Sequence, residues 1–443
     1  MSPERAPSLL SKCPEIVPPR AAARGRHRYS EAQVELPREI SPRTVPEILH
    51  RSDNLLVRTV PAGDGSVWAV TFDHYRNEGG LEREGFGEEF LQHHGISAVH
   101  FLCRGNDWYQ YDDLTAACSA VRRHLRGARR IATYGSSMGA YAALRMADAL
   151  GATAVLALTP QYSIDPAKVP WERRWLQDGA DISWREEIDG PIRCAVIPYV
   201  VFDPVSDDLH HIERIEQDIA IQRIAIPFGR HPITTYLSDT GLLVPLALSV
   251  LNGEGDPVSL MRAGRARRKT SSFYLAELAR AQPDSRLRTA AALAKRSVGI
   301  AESPLALLSL AQINSKSGLH GEAYAVFDRI MELTGREASY IYPYAEARYA
   351  GGDLPGALAL AAEIIGLLPG RAHLFNWQAG FLLEAGDRDA AIASLETAVE
   401  LDPRPEYIER LREMIASEPE PPPPSLWRTL SRFWRRSVGS GRD

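Results

Sequence analysis

Glycines recur at positions 318, 352 and 386, an interval of 34 residues. The same interval separates Ala311, Ala345 and Ala379, and again Ala323, Ala357 and Ala391. The phased segments read GLHGEA, GDLPGA and GDRDAA. Three coincident series at one period constrain the fold more tightly than any local pattern in the chain. Two helices that cross closely need small side chains at the crossing, and a glycine between them supplies the turn. Such a unit cannot bury its apolar face alone, so neighbouring units must stack.

Over about 302 to 403 this pattern resembles tetratricopeptide repeats, with Phe327 and Leu395 at matching packing positions and Pro369 and Pro403 where units end. The first unit has Gly335 in that place, and the first-helix Trp and Gly of the family pattern are largely missing. The resemblance implies stacked helical pairs and a protein partner bound along them. Upstream, Ser271–Arg280 and Arg286–Arg296 read as an earlier, degenerate pair, and Tyr407–Ile415 reads as a closing helix. Residues 268–415 are therefore expected to form an all-α domain.

Residues 54–255 have a different texture. Short, branched, nearly continuous apolar runs predict strands at Leu55–Val60, Val67–Phe72, Ala98–Cys103, Arg130–Tyr134, Ala154–Leu158, Cys194–Phe202 and Arg223–Ile226. Runs of this kind suit strands covered on both faces. Helical patterns at Leu114–Leu125, Ala140–Leu150 and Asp207–Asp218 alternate with them, which predicts a mostly parallel α/β sheet with helices on both faces. Pro198 predicts a bulge or a shortened strand in its run.

The stretch RRIATYGSSMGAYAALRMADAL carries the chemistry. A predicted strand runs into Gly135-Ser136-Ser137-Met138-Gly139, and a helical pattern follows at once. A nucleophilic serine must project from a turn tight enough to expose its oxygen, and Gly135 and Gly139 remove side chains that would obstruct that turn. The Met138 backbone N–H, at the helix start, points to where an oxyanion would develop.

Downstream, Asp203 ends one predicted strand, and His231 sits in the loop PFGRHP after another. Ser137, Asp203 and His231 each fall beyond the carboxyl end of a separate strand, the edge at which open α/β sheets bind ligands. The motif and this order resemble the α/β-hydrolase superfamily over about 54 to 250. The resemblance implies that His231 takes the proton of Ser137 while Asp203 orients the imidazole. It also implies a second oxyanion donor from the loop FDHYRNEGG, at the backbone of Phe72 or Asp73, although the HGGG run of lipases is absent.

Other residues compete for these roles. Asp207 and Asp208 are alternative acids, but they read better as first-turn residues of the following helix. For Asp203 the rival role is a helix N-cap. His210 and His211 read as surface residues, and His74 as a solvated loop histidine bordering the site. Asn106, Asp107, Trp108 and Tyr109 follow a strand and are expected to face substrate. An insertion at about 160–191 occupies the place of a hydrolase cap, and its tryptophans and arginines suggest an acyl or sugar-linked substrate bearing negative charge. The expected activity is cleavage of an ester or thioester through an acyl-enzyme. An inactive hydrolase-like scaffold and an acyltransferase using the same residues are the alternatives.

Composition trims the remaining classes. Lys+Arg 51 against Asp+Glu 56 gives a net charge of −5, so no global basic field points to nucleic acid. Four scattered cysteines predict neither a disulfide scaffold nor a metal centre and suit the cytoplasm. No cofactor is implied. Residues 1–53, rich in Pro and Arg, read as a partly disordered lead-in. Residues 416–443 read as a Pro-rich linker and a basic amphipathic tail competent for peripheral contact with an anionic membrane.

Overall fold

The computed structural model describes residues 46–76 and 79–416. The amphipathic tail and nearly all of the lead-in lie outside those residues. One eight-stranded sheet organises the first part of the chain. Its strands are β1 (Ile48–Arg51), β2 (Leu55–Val60), β3 (Val67–Phe72), β4 (Ser97–Cys103), β5 (Arg130–Ser136), β6 (Ala154–Leu158), β7 (Tyr199–Phe202) and β8 (Gln222–Ala225). They run in the order β1-β2-β4-β3-β5-β6-β7-β8, parallel from β4 through β8 and antiparallel where β2 meets β1 and β4.

The apolar runs become strands because both faces are covered. Every residue of β4 is buried, as is every residue of β6. One core packs Val70, Phe72 and Phe101 against Val121 and Tyr141. The other sets Ala132, Leu156 and Ile224 against Leu237, Leu246 and Leu275.

Three differences from the sequence expectation go beyond a residue or two at an element's end. β7 begins only at Tyr199, because Pro198 cannot donate into a ladder. The helix expected over Ala140–Leu150 starts at Met138 and breaks at Met146 into two. β1 falls inside the segment read as disordered. It gains an antiparallel partner in β2, and His50 Nε2 lies 2.6 Å from Asp113 Oδ2, which pins a strand too short for periodicity to reveal.

The chain divides into two compact units at Ile313/Asn314, inside the helix Pro304–Lys316. The boundary lies well beyond residue 268 because the helical pair Ser272–Arg280 and Leu287–Ile300 belongs with the sheet. Tyr274 and Leu275 enter the sheet's second core, and Ser271 Oγ bonds to Asp239.

The 34-residue period has a direct physical counterpart. Helices begin at Pro304, Ala338 and Ala372, and again at His320, Leu354 and Arg388, each series at that spacing. Gly318, Gly352 and Gly386 all turn with φ between 76° and 81°. All six phased alanines are fully buried. Asp353 and Asp387 cap their helices by accepting from the amides of Gly356 and Ala390. These are tetratricopeptide-like helical pairs. Ala345→Leu should therefore cost about 1–3 kcal/mol by overpacking, read as a lowered midpoint of denaturant unfolding. Among the described residues no helix is long and apolar enough to cross a membrane.

Candidate active site

The chain leaves β5 at Ser137 with φ 55° and ψ −123°, a conformation that strains any residue with a side chain. The two flanking glycines make the turn sterically feasible. A Cβ on Gly135 would meet the Gly139 carbonyl oxygen at 2.2 Å, and one on Gly139 would meet that of Phe72 at 2.4 Å. Seven non-glycine residues have left-handed φ among the described residues, and six of them (Trp108, Tyr109, Ser137, Thr159, Phe228, Arg230) lie on loops leaving β4, β5, β6 and β8. Strain thus gathers at one rim of the sheet.

At that rim Ser137 Oγ lies 2.8 Å from His231 Nε2, a distance at which the hydroxyl donates to the ring. His231 Nδ1 lies 3.1 Å from Asp208 Oδ2. The structure therefore brings together two of the three expected residues and replaces the third. Asp203 makes no hydrogen bond or ion pair with His231. Its Oδ1 accepts from the amides of Val205 (3.0 Å) and Phe228 (3.1 Å), and its Oδ2 from that of Arg230 (2.9 Å). Burial pushes its pKa up, against the pull of those amides. Asp203 is a clamp on the histidine loop, and Arg230 Nε adds a second tie to Glu277 Oε2 at 2.7 Å.

Asp208 reaches the imidazole because it opens the helix Asp208–Asp218, five residues further on. Burial would raise its pKa, but His231 and Arg174 overcome this and hold it well below the ordinary carboxylate range. Arg174 Nη1 pairs with Asp208 Oδ1 at 2.8 Å, and its Nη2 donates to Glu172 Oε2 at 2.6 Å. Glu172 also accepts from His211 Nε2 at 2.9 Å, while His211 Nδ1 accepts from the Tyr162 amide at 3.2 Å. His211 is thus fully buried rather than a surface residue. Arg174, one of the three cap arginines (with Arg173 and Arg185) expected to face substrate, is instead spent on two carboxylates of the protein itself.

This network gives Glu172 a pH signature. Burial raises its pKa, yet His211 and Arg174 bring it from 4.5 down to about 2. Its stabilisation is therefore full above pH 4.5 and is lost as pH falls through about 2. Glu172→Gln should cost on the order of 3 kcal/mol at pH 7. In denaturant melts, the gap from wild type should close progressively in acid.

The segment carrying Glu172 and Arg174 is fastened to the helix behind the nucleophile. Arg145 Nη1 donates to the carbonyls of Ile188 (3.0 Å) and Gly190 (2.5 Å), and Nη2 to that of Tyr162 (2.7 Å). Tyr141 donates to Asp189 Oδ1 at 2.8 Å. Trp175 stacks beneath the Arg174 guanidinium and sets an edge against His231, ring centres 5.2 Å apart.

The oxyanion side needs correction too. The Asp73 amide donates to the Phe101 carbonyl at 3.3 Å, continuing the β3–β4 ladder, and is spent. Phe72 ends β3, with its carbonyl oxygen against Gly139. Met138 opens its helix, where the first amides have no intrahelical partner. Gln161, unnoticed in the sequence, places Nε2 3.1 Å from Ser137 Oγ.

Of the residues expected to face substrate, Trp108 and Tyr109 are fully buried, because two successive left-handed residues turn them inward. Tyr109 donates to the Asp73 carbonyl at 3.2 Å. Asp107 accepts from Tyr111, and Asn106 exchanges bonds with the Arg76 backbone at 2.8 and 2.6 Å.

The sheet and its serine–histidine–aspartate array make this part of the chain α/β-hydrolase-like, and the helical pairs after it are tetratricopeptide-like. No family model matches the sequence, and no curated protein matches it. Similarity appears among solved structures. A thermophilic tetratricopeptide protein of Thermus thermophilus, TTC0263, is 18% identical, with 39% of this chain and 98% of that one covered and a TM-score of 0.31. The capsule O-acetyltransferase of Neisseria meningitidis serogroup A is 12% identical, with 44% and 92% covered and a TM-score of 0.32. XC6422 of Xanthomonas campestris, an α/β serine hydrolase without a lid, is 17% identical, with 39% and 78% covered and a TM-score of 0.25. These are likenesses of fold.

Proposed function

We propose that the chain is a serine hydrolase that cleaves an ester or thioester through an acyl-enzyme on Ser137. The observation that supports this most is the hydroxyl of Ser137 at 2.8 Å from His231 Nε2, with the far side of the ring on Asp208. His231 takes the serine proton as Oγ attacks the acyl carbon, and Asp208 stabilises the imidazolium so formed. The Met138 amide meets the oxyanion at the helix start. His231 then returns the proton to the leaving alcohol or thiol. Water activated by the same ring ends the cycle, and an alcohol in its place would make the reaction an acyl transfer. The helical pairs are assigned to a protein partner, and a reducing cytoplasm suits the free thiols of Cys103, Cys118 and Cys194.

The test is covalent labelling of the full chain by a fluorophosphonate. Wild type should label at Ser137 and Ser137→Ala should not. A folded wild type that stays unlabelled would overturn the reading in favour of an inactive scaffold.

A further inference from the structure

A cavity of about 150 Å³ opens between the loops leaving β3 and β4, lined among others by His74, Arg76, Arg83, Arg104, Gly105 and Asn106. Arg83 is anchored from behind, its Nη2 bonded to Asp73 Oδ2 and donating to the Cys103 carbonyl at 2.7 Å. Its Nε and Nη1 are buried and have no partner. Buried donors are almost always paired, so two idle guanidinium nitrogens beside a cavity call for an acceptor. Arg76 and Arg104 form no ion pair among the described residues and both line the same space, with Arg104 Nε donating to the Asp53 carbonyl at 2.5 Å. Asn106 locks the Arg76 backbone, which fixes that wall before any ligand arrives.

We propose that this pocket binds a phosphate group carried by the substrate of Ser137. Three arginines line the pocket and Asp73 pairs with one of them, so the lining favours an anion. With Nη2 spent on Asp73 and the Cys103 carbonyl, Arg83 offers single N–H groups from Nε and Nη1 to separate acceptor oxygens. The volume equals that of about five waters, enough for a phosphate group. Adjacent strands stand about 4.8 Å apart, so a pocket between the ends of β3 and β4 lies roughly 5–10 Å along the rim from β5. A small acylated molecule spans that distance. Phosphate binding stands on the pocket alone, whereas its role as a substrate anchor rests on the acyl-enzyme reading.

Two measurements on the full-length protein test it. In the first, inorganic phosphate is titrated against thermal unfolding of wild type and Ser137→Ala, with sodium chloride and sodium acetate at matched ionic strength as controls. Phosphate should raise the midpoint saturably in both proteins. Arg76→Gln/Arg104→Gln, which breaks no ion pair, should weaken phosphate at least tenfold. Equal shifts with chloride or acetate, or unchanged phosphate affinity in the double variant, would overturn the site.

The second compares O-acetylglycerol 3-phosphate with O-acetylglycerol as esters. The phosphorylated ester should show a KM at least tenfold lower in wild type, and that advantage should vanish in the double variant. Phosphate binding with equal KM values would make this a free-anion site and overturn the substrate role. Phosphate binding without turnover of either ester would overturn the anchor role; joined to a failure of fluorophosphonate labelling it would sink the acyl-enzyme reading too, while leaving the anion site standing.

Discussion

Asp208→Asn should lower kcat for ester hydrolysis on the order of 10³–10⁴-fold, with KM little changed. The amide cannot stabilise the imidazolium as a carboxylate does, and it favours the wrong ring tautomer beside His231 Nδ1. Asp203→Asn should behave differently. Its amide can no longer accept at every position where Asp203 now takes the amides of Val205, Phe228 and Arg230. Leaving one buried N–H unpaired costs about 1–3 kcal/mol, so the main effect should be a lower unfolding midpoint. The kcat loss should stay within about tenfold, since the chemistry is untouched. Steady-state kinetics and denaturant melts on the two variants separate these outcomes. A larger kcat loss for Asp203→Asn would restore that residue as the acid.

Ser137→Ala and Ser137→Gly should both abolish turnover, with a loss of about 10⁴-fold or more in kcat. Their stabilities should part. Both lose the hydroxyl and its bonds to His231 and Gln161, but only glycine adopts φ 55° and ψ −123° without strain. Ser137→Gly should therefore be more stable than Ser137→Ala by about 1–2 kcal/mol. Equal stability would mean that the turn after β5 stores no strain. The comparison is internally controlled, because the lost chemistry is the same in both.

Elements whose physics is local were legible in the sequence. β2, β3 and β6 have the expected bounds because their apolar runs are buried on both faces. The helical repeats were legible because one packing problem is solved in the same way every 34 residues. The strand–Gly–x–Ser–x–Gly–helix turn was legible because strand and helix approach too closely there for a Cβ at either glycine. What the sequence concealed depends on a choice between chemically equivalent neighbours. Asp203, Asp207 and Asp208 are all acids near a strand end, and nothing in their spacing says that backbone amides will claim the first. Gln161 reaches Ser137 across 24 residues of chain and Glu172 reaches His211 across 39, both from an irregular segment with no period to read. Trp108 and Tyr109 looked like a polar loop's aromatic edge, but left-handed backbone folded them into the core.

The salt link between Arg174 and Asp208 gives the segment after β6 a second duty. It supplies a cation that helps keep Asp208 charged, so swinging it aside would also remove that support from the carboxylate facing His231. On the acyl-enzyme reading, a substrate must therefore reach Ser137 around this segment rather than by displacing it.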